Sequence, residues 1–484
     1  MLNMNNQTLS FIFAFMLLIL LAFYLLTDVF YYDKSVLVGI MLIVGISTLS
    51  FLCMKEGNSL LKAQYFSPLY LFLLGYLVVH FQFYFDILLG NLTESESWLF
   101  ITPSLIPKAA MISTIGLLSF YVGYLSHLDN DEVVYIEEEE MQIYPLNVLI
   151  LISCFLLFFF LNFAGLNYIL GGYGGDAQIE VGGIAAYSEL LLQLSFYASM
   201  ILNVRNAKTL YVEYTFREYV KSYGLFFYIP FVSYNCMVML SGDRGPMISL
   251  IIGYIVSYTY IAKNRIKLPV LLVVLLVGMS FITILGMTRK FSQEGLSFKE
   301  KIELAFRSET VNSYDSFSPN TAELAGSVRT LHMSINYVPE QHPYLYGLFQ
   351  LKYVMAIVPF ISSVTNQVFD SQSKYKGSAS FITWIEQGDY PSSGAGSTCV
   401  ADFYLDFGLI GVIIGFFFFG WFIQNIEYKL YIQQNISLWL HTLCLYSVVV
   451  SLYVARSSIL FHLRAIVWLY IILFVYQYVY KKRA

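Results

Sequence analysis

Charged side chains are scarce in this sequence. Only 12% of its 484 residues are Asp, Glu, Lys or Arg, whereas soluble globular proteins carry roughly 25%. Hydrophobic residues make up 58% of the chain, above the apolar share of about 45–50% that is typical of soluble domains. This composition excludes an ordinary soluble domain and predicts an integral membrane protein.

Paired cysteines and nucleotide-binding motifs are also missing. The five cysteines are scattered singly, without Cys-x-x-Cys or Cys/His spacing, which predicts neither a zinc site nor a disulfide framework. The sequence contains no P-loop, dinucleotide fingerprint or nucleophile elbow. We therefore expect no cofactor and no metal ion. A transferase built on this chain would take its donor from a lipid carrier.

Long apolar runs fill most of the remaining sequence. A bilayer core of about 30 Å requires around 20 mostly apolar residues in a helix. The runs predict an all-α polytopic membrane protein with about twelve transmembrane helices. We place these spans near residues 8–30, 35–54, 67–89, 105–127, 144–165, 183–204, 223–241, 245–262, 268–287, 400–425, 436–454 and 459–480.

The distribution of Lys and Arg predicts the orientation of these spans. If Lys481, Lys482 and Arg483 are cytoplasmic, the short cytoplasmic segments collect 13 basic residues, and the short outer loops hold 4. The positive-inside rule then puts both termini in the cytoplasm. It also divides the chain into helices 1–9 (residues 1–287), a large non-cytoplasmic loop (288–398) and helices 10–12 (399–484).

The large loop is the longest connection in the chain. Its nine basic residues are matched by ten acidic ones, so it is not a general polyanion-binding surface. Gly347 to Val364 is apolar but interrupted by Lys352 and Pro359, which favours a short or re-entrant helix over a full span. Long loops in compact proteins are usually functional. We interpret this loop as the lid of an active or binding site.

Several arginines are candidates for binding an anionic group. Arg244 lies in Ser241-Gly242-Asp243-Arg244-Gly245-Pro246, between two apolar runs. It either faces water in a helix hairpin or points inward to an anion beside the next helix N-terminus. Arg329 and His332 are three residues apart, on one face of a helix. The candidates for pyrophosphate or substrate binding are Arg244, Arg289, Arg307, Arg329, Arg456 and Arg464.

Asp402 and Asp406 are the leading carboxylates. They lie four residues apart at the outer start of span ten, a spacing that puts both on one helical face. One interpretation is a general base at a partly buried membrane edge. The alternative is simple stabilisation of a helix N-terminus by acidic residues. Our catalytic candidates are Asp402, His332 and Glu309.

Two of these motifs resemble those of Wzy-type O-antigen and capsule polymerases. One is Met239-Leu240-Ser241-Gly242-Asp243-Arg244-Gly245-Pro246, and the other is Ala401-Asp402-Phe403-Tyr404-Leu405-Asp406-Phe407-Gly408-Leu409-Ile410-Gly411. The layout of many spans with a late, large outer loop is also similar. Asp402 stands where the family more often has Glu.

This resemblance implies a GT-C-like membrane glycosyltransferase of the bacterial inner membrane. Such an enzyme moves the growing glycan from undecaprenyl pyrophosphate to the non-reducing end of a new lipid-linked repeat unit. A flippase and a chain-length regulator are the implied partners, together with the bilayer and without nucleic acid. The alternatives are an O-antigen ligase, a polysaccharide flippase or other transporter, and a structural scaffold. A transporter would usually show repeated halves, and this sequence shows none.

Overall fold

The regular secondary structure is almost entirely helical in the part of the chain that the structure describes. The computed structural model describes residues 6–27, 31–56, 66–126, 143–171, 183–241, 244–263, 316–359, 361, 373–432 and 437–481. In these ranges the only β pairing is an isolated bridge between Tyr214 and Ala262. The predicted all-α class is confirmed for these residues.

In the described residues, ten α-helices precede the large loop, and seven lie within or after it. The first ten are α1 (Asn6–Leu26), α2 (Lys34–Glu56), α3 (Pro68–Leu89), α4 (Ser97–Phe100), α5 (Leu105–Leu125), α6 (Asn147–Gly171), α7 (Ile184–Thr209), α8 (Phe216–Tyr223), α9 (Leu225–Ser241) and α10 (Arg244–Thr259). The other seven are α11 (Pro319–Ala325), α12 (Val328–Tyr337), α13 (Leu348–Met355), α14 (Ser378–Gln387), α15 (Cys399–Glu427), α16 (Leu438–Val454) and α17 (Leu463–Lys481).

Seven of the described helices are long and apolar enough to cross a bilayer, and four more are apolar but shorter. Together they match eleven of the twelve predicted spans. The predicted span at 268–287 lies outside the described residues. The chain is therefore a multi-pass membrane protein, and the number twelve and the orientation of the spans stay predictions. The described part of the large loop carries the short helices α11 to α14.

The chain packs into two units, which we describe separately. The first contains residues 1–135, 314–434 and 450–464, and the second contains residues 136–313, 435–449 and 465–484. In the second unit, the hydroxyls of Ser153 on α6 and Ser195 on α7 lie 2.8 Å apart. Polar contacts between helices of this kind help to hold a bundle together in lipid. The division that we predicted from the sequence, into residues 1–287, 288–398 and 399–484, stays a prediction.

Helices α5 and α15 form the centre of the first unit. In the most apolar stretch of α5, 89% of the residues are buried. Two glycines let the backbones of α5 and α15 meet. A Cβ on Gly123 would lie 2.0 Å from the carbonyl oxygen of Phe417, and one on Gly420 would lie 2.1 Å from that of Phe120. Small residues at a crossing are typical of membrane helix pairs. This contact fixes the C-terminal part of α15, which contains Phe417 and Gly420.

The N-terminal part of α15 is separated from the C-terminal part by a break at Gly408. Its backbone has φ +63 and ψ −150, which is not helical. In a continuous helix the carbonyls of Leu405 and Asp406 would accept bonds from residues 409 and 410. Instead they accept the N–H groups of Leu345 at 3.0 Å and Tyr346 at 2.8 Å. The break therefore frees two carbonyls in the N-terminal part of α15, and these bind the chain segment that precedes α13.

We expect Gly408→Ala to destabilise the first unit. A positive φ costs an L residue about 1–2 kcal/mol, and the added Cβ would lie 2.9 Å from the ring of Tyr344. Thermal unfolding in detergent should show a lower midpoint. The matched control is Gly45→Ala on α2, where nothing lies within 4 Å of the added Cβ. Equal midpoints for the two variants would contradict the assignment of strain to Gly408.

Candidate active site

The N-terminal end of α15 carries two carboxylates that both bond to Gln350 on α13. Thr398 caps the helix, with its hydroxyl accepting the N–H of Ala401 at 3.2 Å. Asp402 and Asp406 follow one turn apart, and both are fully buried. Both accept hydrogen bonds from Gln350 on α13. The two side chains thus share one face of the helix, as their spacing predicts.

Asp402 is surrounded by neutral hydrogen-bond donors. Nε2 of Gln350 donates to its Oδ2 at 2.6 Å, and the hydroxyl of Tyr353 donates to its Oδ1 at 3.0 Å. Ser378 and Ser458 also lie beside the carboxylate. Within the described ranges no basic side chain forms an ion pair with Asp402. No neighbouring cation in these ranges therefore stabilises the ionised form of this carboxylate.

Asp406 acts as the N-terminal cap of α13. The N-cap residue of that helix is Gly347, which has no side chain to offer. The carboxylate of Asp406 takes this role, accepting the N–H groups of Phe349 at 3.2 Å and Gln350 at 3.0 Å. Negative charge at a helix N-terminus is stabilising. Asp406 therefore sets the position from which Gln350 and Tyr353 reach Asp402.

We expect Asp406→Ala to loosen α13. Two buried backbone N–H groups would lose their acceptor, a loss of about 1–3 kcal/mol. Hydrogen–deuterium exchange over Leu348–Met355 should accelerate, while exchange in α5 stays the same. Asp406→Asn keeps one acceptor oxygen. Its exchange rate over α13 should therefore lie between those of the wild type and the alanine variant. Unchanged exchange in α13 of the alanine variant would exclude this capping role.

Tyr353 is a protonated donor to this site. Burial, and next the charge of Asp402, raise the pKa of the Tyr353 phenol above its ordinary value. Its oxygen also lies 3.2 Å from the hydroxyl of Ser378. The phenol therefore has a second partner close to the carboxylate.

His332 is buried on α12, outside the hydrogen-bond cluster of Asp402. Its Nδ1–H donates to the carbonyl of Phe100 at 3.2 Å, and its Nε2 accepts from the hydroxyl of Tyr84 at 2.8 Å. Burial lowers the pKa of His332 to about 3, against the opposing effect of the Phe100 carbonyl. The ring is therefore neutral, with both nitrogens occupied. The catalytic role that we predicted for it stays a prediction.

Arg329 lies one turn before His332 and has partners of its own. Its guanidinium forms an ion pair with Glu386 of α14 at 2.6 Å, and the side chain is 21% exposed. Its Cζ lies 4.9 Å from the ring centre of Trp98 on α4. A guanidinium held between a carboxylate and an aromatic face keeps a fixed orientation. The anion-binding role that we predicted for Arg329 stays a prediction.

Arg456 and Arg464 flank the short turn that precedes α17. Arg456 is exposed, and its backbone N–H donates to the carbonyl of Tyr453 at 2.9 Å. Arg464 is partly buried, and its side chain makes no hydrogen bond or ion pair with any residue that the structure describes. Neither side chain forms a hydrogen bond with Asp402 in that part of the chain.

The remaining predicted site residues lie wholly or partly outside the part of the chain that the structure describes. Arg244 is the first residue of α10, so Pro246 lies in its first turn, but the side chain of Arg244 lies outside what the structure describes. Arg289, Arg307 and Glu309 lie outside the described residues. Their roles stay predictions.

Aromatic side chains of the large loop, which are of a type that stacks against sugar rings, differ in exposure. Tyr390 is 96% exposed and Tyr346 is 77% exposed. Nζ of Lys374 lies 4.0 Å from the ring centre of Trp384, so one face of this indole is already covered. The two tyrosines offer more open surface to a glycan than Trp384 does.

Two residues of the Asp402 cluster were not predicted from the sequence. Gln350 and Tyr353 are three residues apart in a stretch that reads as an apolar helix. Their spacing places them on one helical face, which was the only available signal. Nothing local indicates that this face meets α15.

Comparison with known proteins gives one match. The family model described as O-antigen polysaccharide polymerase Wzy matches residues 9–483, nearly the whole chain. No curated protein matches the chain. No solved structure matches it either.

Proposed function

Because this chain belongs to the O-antigen polysaccharide polymerase Wzy family, we propose that it joins undecaprenyl-pyrophosphate-linked repeat units. The growing glycan is transferred from its lipid carrier to the non-reducing end of a new lipid-linked repeat. The reaction takes place on the outer side of the bacterial inner membrane, with both termini in the cytoplasm. The product is O-antigen, capsule or exopolysaccharide.

The bond changes require one proton acceptor and one site for the leaving group. A hydroxyl oxygen of the acceptor sugar attacks the anomeric carbon of the growing chain. The bond from that carbon to the pyrophosphate oxygen breaks, and the pyrophosphate leaves with the electron pair. The hydroxyl proton passes to a general base. The leaving group is already activated, so the protein has to position it and stabilise its charge.

We assign the general base to Asp402. Its placement is the observation that carries the proposal: a buried carboxylate among neutral donors, without an ion-pair partner in the described segments. His332 is a weaker candidate, since both of its ring nitrogens are bonded. Glu309 stays in the proposal on sequence grounds only.

Arginines are assigned to the departing pyrophosphate. Guanidinium groups bind phosphate oxygens through paired N–H donors. Arg329 has a fixed orientation and a side chain that is 21% exposed, which support this role. Arg244, Arg289, Arg307, Arg456 and Arg464 are proposed for it from their positions in the sequence. A flippase and a chain-length regulator are the proposed protein partners.

Deletion of the gene in its host tests the function. Gel analysis of the glycan should then show single repeats on the final acceptor. Free, unligated polymer would instead indicate a ligase. Lipid-linked units trapped on the cytoplasmic side would indicate a flippase.

Cysteine labelling tests the orientation. A single cysteine at Gly388, an exposed position where nothing lies within 4 Å of an added Cβ, should react with an impermeant maleimide added from outside, in a variant without native cysteines. Labelling only after the inner membrane is opened would invert the topology, and the proposed reaction would then be excluded.

A further inference from the structure

The carboxamide of Gln350 has one bonded end and one unbonded end. Its Nε2 donates to Oδ2 of Asp402 at 2.6 Å. Its Oε1 is buried and has no hydrogen-bond partner among the residues that the structure describes. The residue as a whole is 9% exposed. Burying a carbonyl oxygen without a donor is unfavourable, so such an atom indicates a missing partner.

The orientation of this carboxamide follows from its neighbour. An ionised carboxylate only accepts hydrogen bonds, so the NH₂ end of Gln350 must face Asp402. One carbon atom separates the two ends of the amide. The unbonded Oε1 therefore lies close to the proposed general base, where a hydrogen-bond donor on a molecule bound at Asp402 would complete its bonding.

The hydroxyl of Tyr353 occupies the other oxygen of Asp402 and can be exchanged. It donates to Oδ1 at 3.0 Å, and Oγ of Ser378 is 3.2 Å away. The phenol can turn to Ser378 and keep a hydrogen bond when another hydroxyl takes its place on Oδ1. Gln350 can stay on Oδ2 throughout this exchange, because its backbone N–H is bonded to Asp406 at 3.0 Å.

We propose that Gln350 binds the acceptor sugar. This inference rests on the proposed function and adds the group that recognises the acceptor beside the reacting hydroxyl. That hydroxyl replaces Tyr353 on Oδ1 of Asp402, and Oε1 of Gln350 accepts a hydrogen from the neighbouring ring position. The ligand at that position is a donor, either a free hydroxyl or the N–H of an acetamido group.

A purely structural role predicts a different result. If Gln350 only orients Asp402, its loss should resemble the loss of Tyr353, because each supplies one hydrogen bond to the carboxylate. If Gln350 also touches the acceptor, only its loss should weaken acceptor binding. The two residues thus form a matched pair for the test.

The experiment uses the full-length protein in nanodiscs. Lipid-linked polymer is the donor, held constant, and the lipid-linked single repeat from the host that lacks this gene is the varied acceptor. We expect Gln350→Met, which has a similar size, to raise KM for the single repeat about tenfold, the equivalent of one hydrogen bond. Tyr353→Phe should lower kcat by less than about tenfold without raising KM.

Each outcome decides between the two roles. Equal falls in kcat for both variants, with KM unchanged, would overturn acceptor binding by Gln350 and leave the polymerase intact. An inactive wild-type protein with both substrates present would instead overturn the proposed function, and this inference with it.

A binding measurement covers the case in which Gln350→Met folds poorly. In an Asp402→Asn background, the dissociation constant of the single repeat is compared with and without Gln350→Asn, whose shorter side chain cannot reach the same point. We expect about tenfold weaker binding. Equal dissociation constants would exclude the contact.

Discussion

Asp402→Asn is expected to abolish long-chain polymer while the protein accumulates normally in the membrane. Loss of a positioned general base typically reduces a rate by about 10²–10⁴-fold, enough to remove the ladder of chain lengths from a gel. Asn has nearly the same size as Asp and can still accept the Tyr353 hydroxyl. The site should therefore stay assembled. Initial rates in nanodiscs, divided by the amount of folded protein, measure the effect.

Asp86 provides the matched control for this variant. It is another fully buried carboxylate of the first unit, and it accepts the hydroxyl of Ser316 at 2.6 Å and the N–H of Phe317 at 2.8 Å. We expect Asp86→Asn to lower thermal stability and to leave the rate per folded molecule near that of the wild type. A normal ladder from Asp402→Asn would remove Asp402 from the mechanism.

Arg329→Ala should leave single repeats on the final acceptor in place of long chains. Removing one donor that stabilises developing charge costs about 10²–10³ in rate, and the same loss is expected for Arg244→Ala. The measurement is the chain-length distribution on a gel, at equal membrane abundance. Normal ladders from both variants would contradict the assignment of arginines to the pyrophosphate.

Glu386→Gln separates charge stabilisation from simple scaffolding. It removes the ion pair with Arg329 at 2.6 Å and keeps the guanidinium on Trp98. If Arg329 binds the leaving group, Glu386→Gln should retain polymer and Arg329→Lys should lose most of it, because an ammonium cannot make paired contacts. Equal losses from Glu386→Gln and Arg329→Ala would show that the ion pair only holds α12 against α14.

The helices were predictable and the break in α15 was not. Each matched span has a long apolar run, and seven of the matched helices have the length that a bilayer requires; this signal is contained within the segment itself. Gly408 stands inside such a run, where a glycine is usually tolerated in a continuous helix. Its left-handed backbone arises from contacts with Tyr344 to Tyr346, which are distant in sequence.

The site was predictable only in part. The spacing of Asp402 and Asp406 was enough to place them on one face. The partners of that face could not be deduced, because Gln350 and Tyr353 meet α15 by tertiary packing across about 50 residues. The arginines are the opposite case: their charge marks them in the sequence, and only the structure shows that Arg329 already has a carboxylate partner.

The break at Gly408 gives α15 two mechanically distinct parts. The C-terminal part is fastened to α5 at the crossing of Gly123 and Gly420, where the backbones touch. The N-terminal part, with both carboxylates, is joined to it through one residue without helical geometry. A displacement of Asp402 would thus flex the polypeptide at Gly408, and the deformation would not reach the crossing with α5.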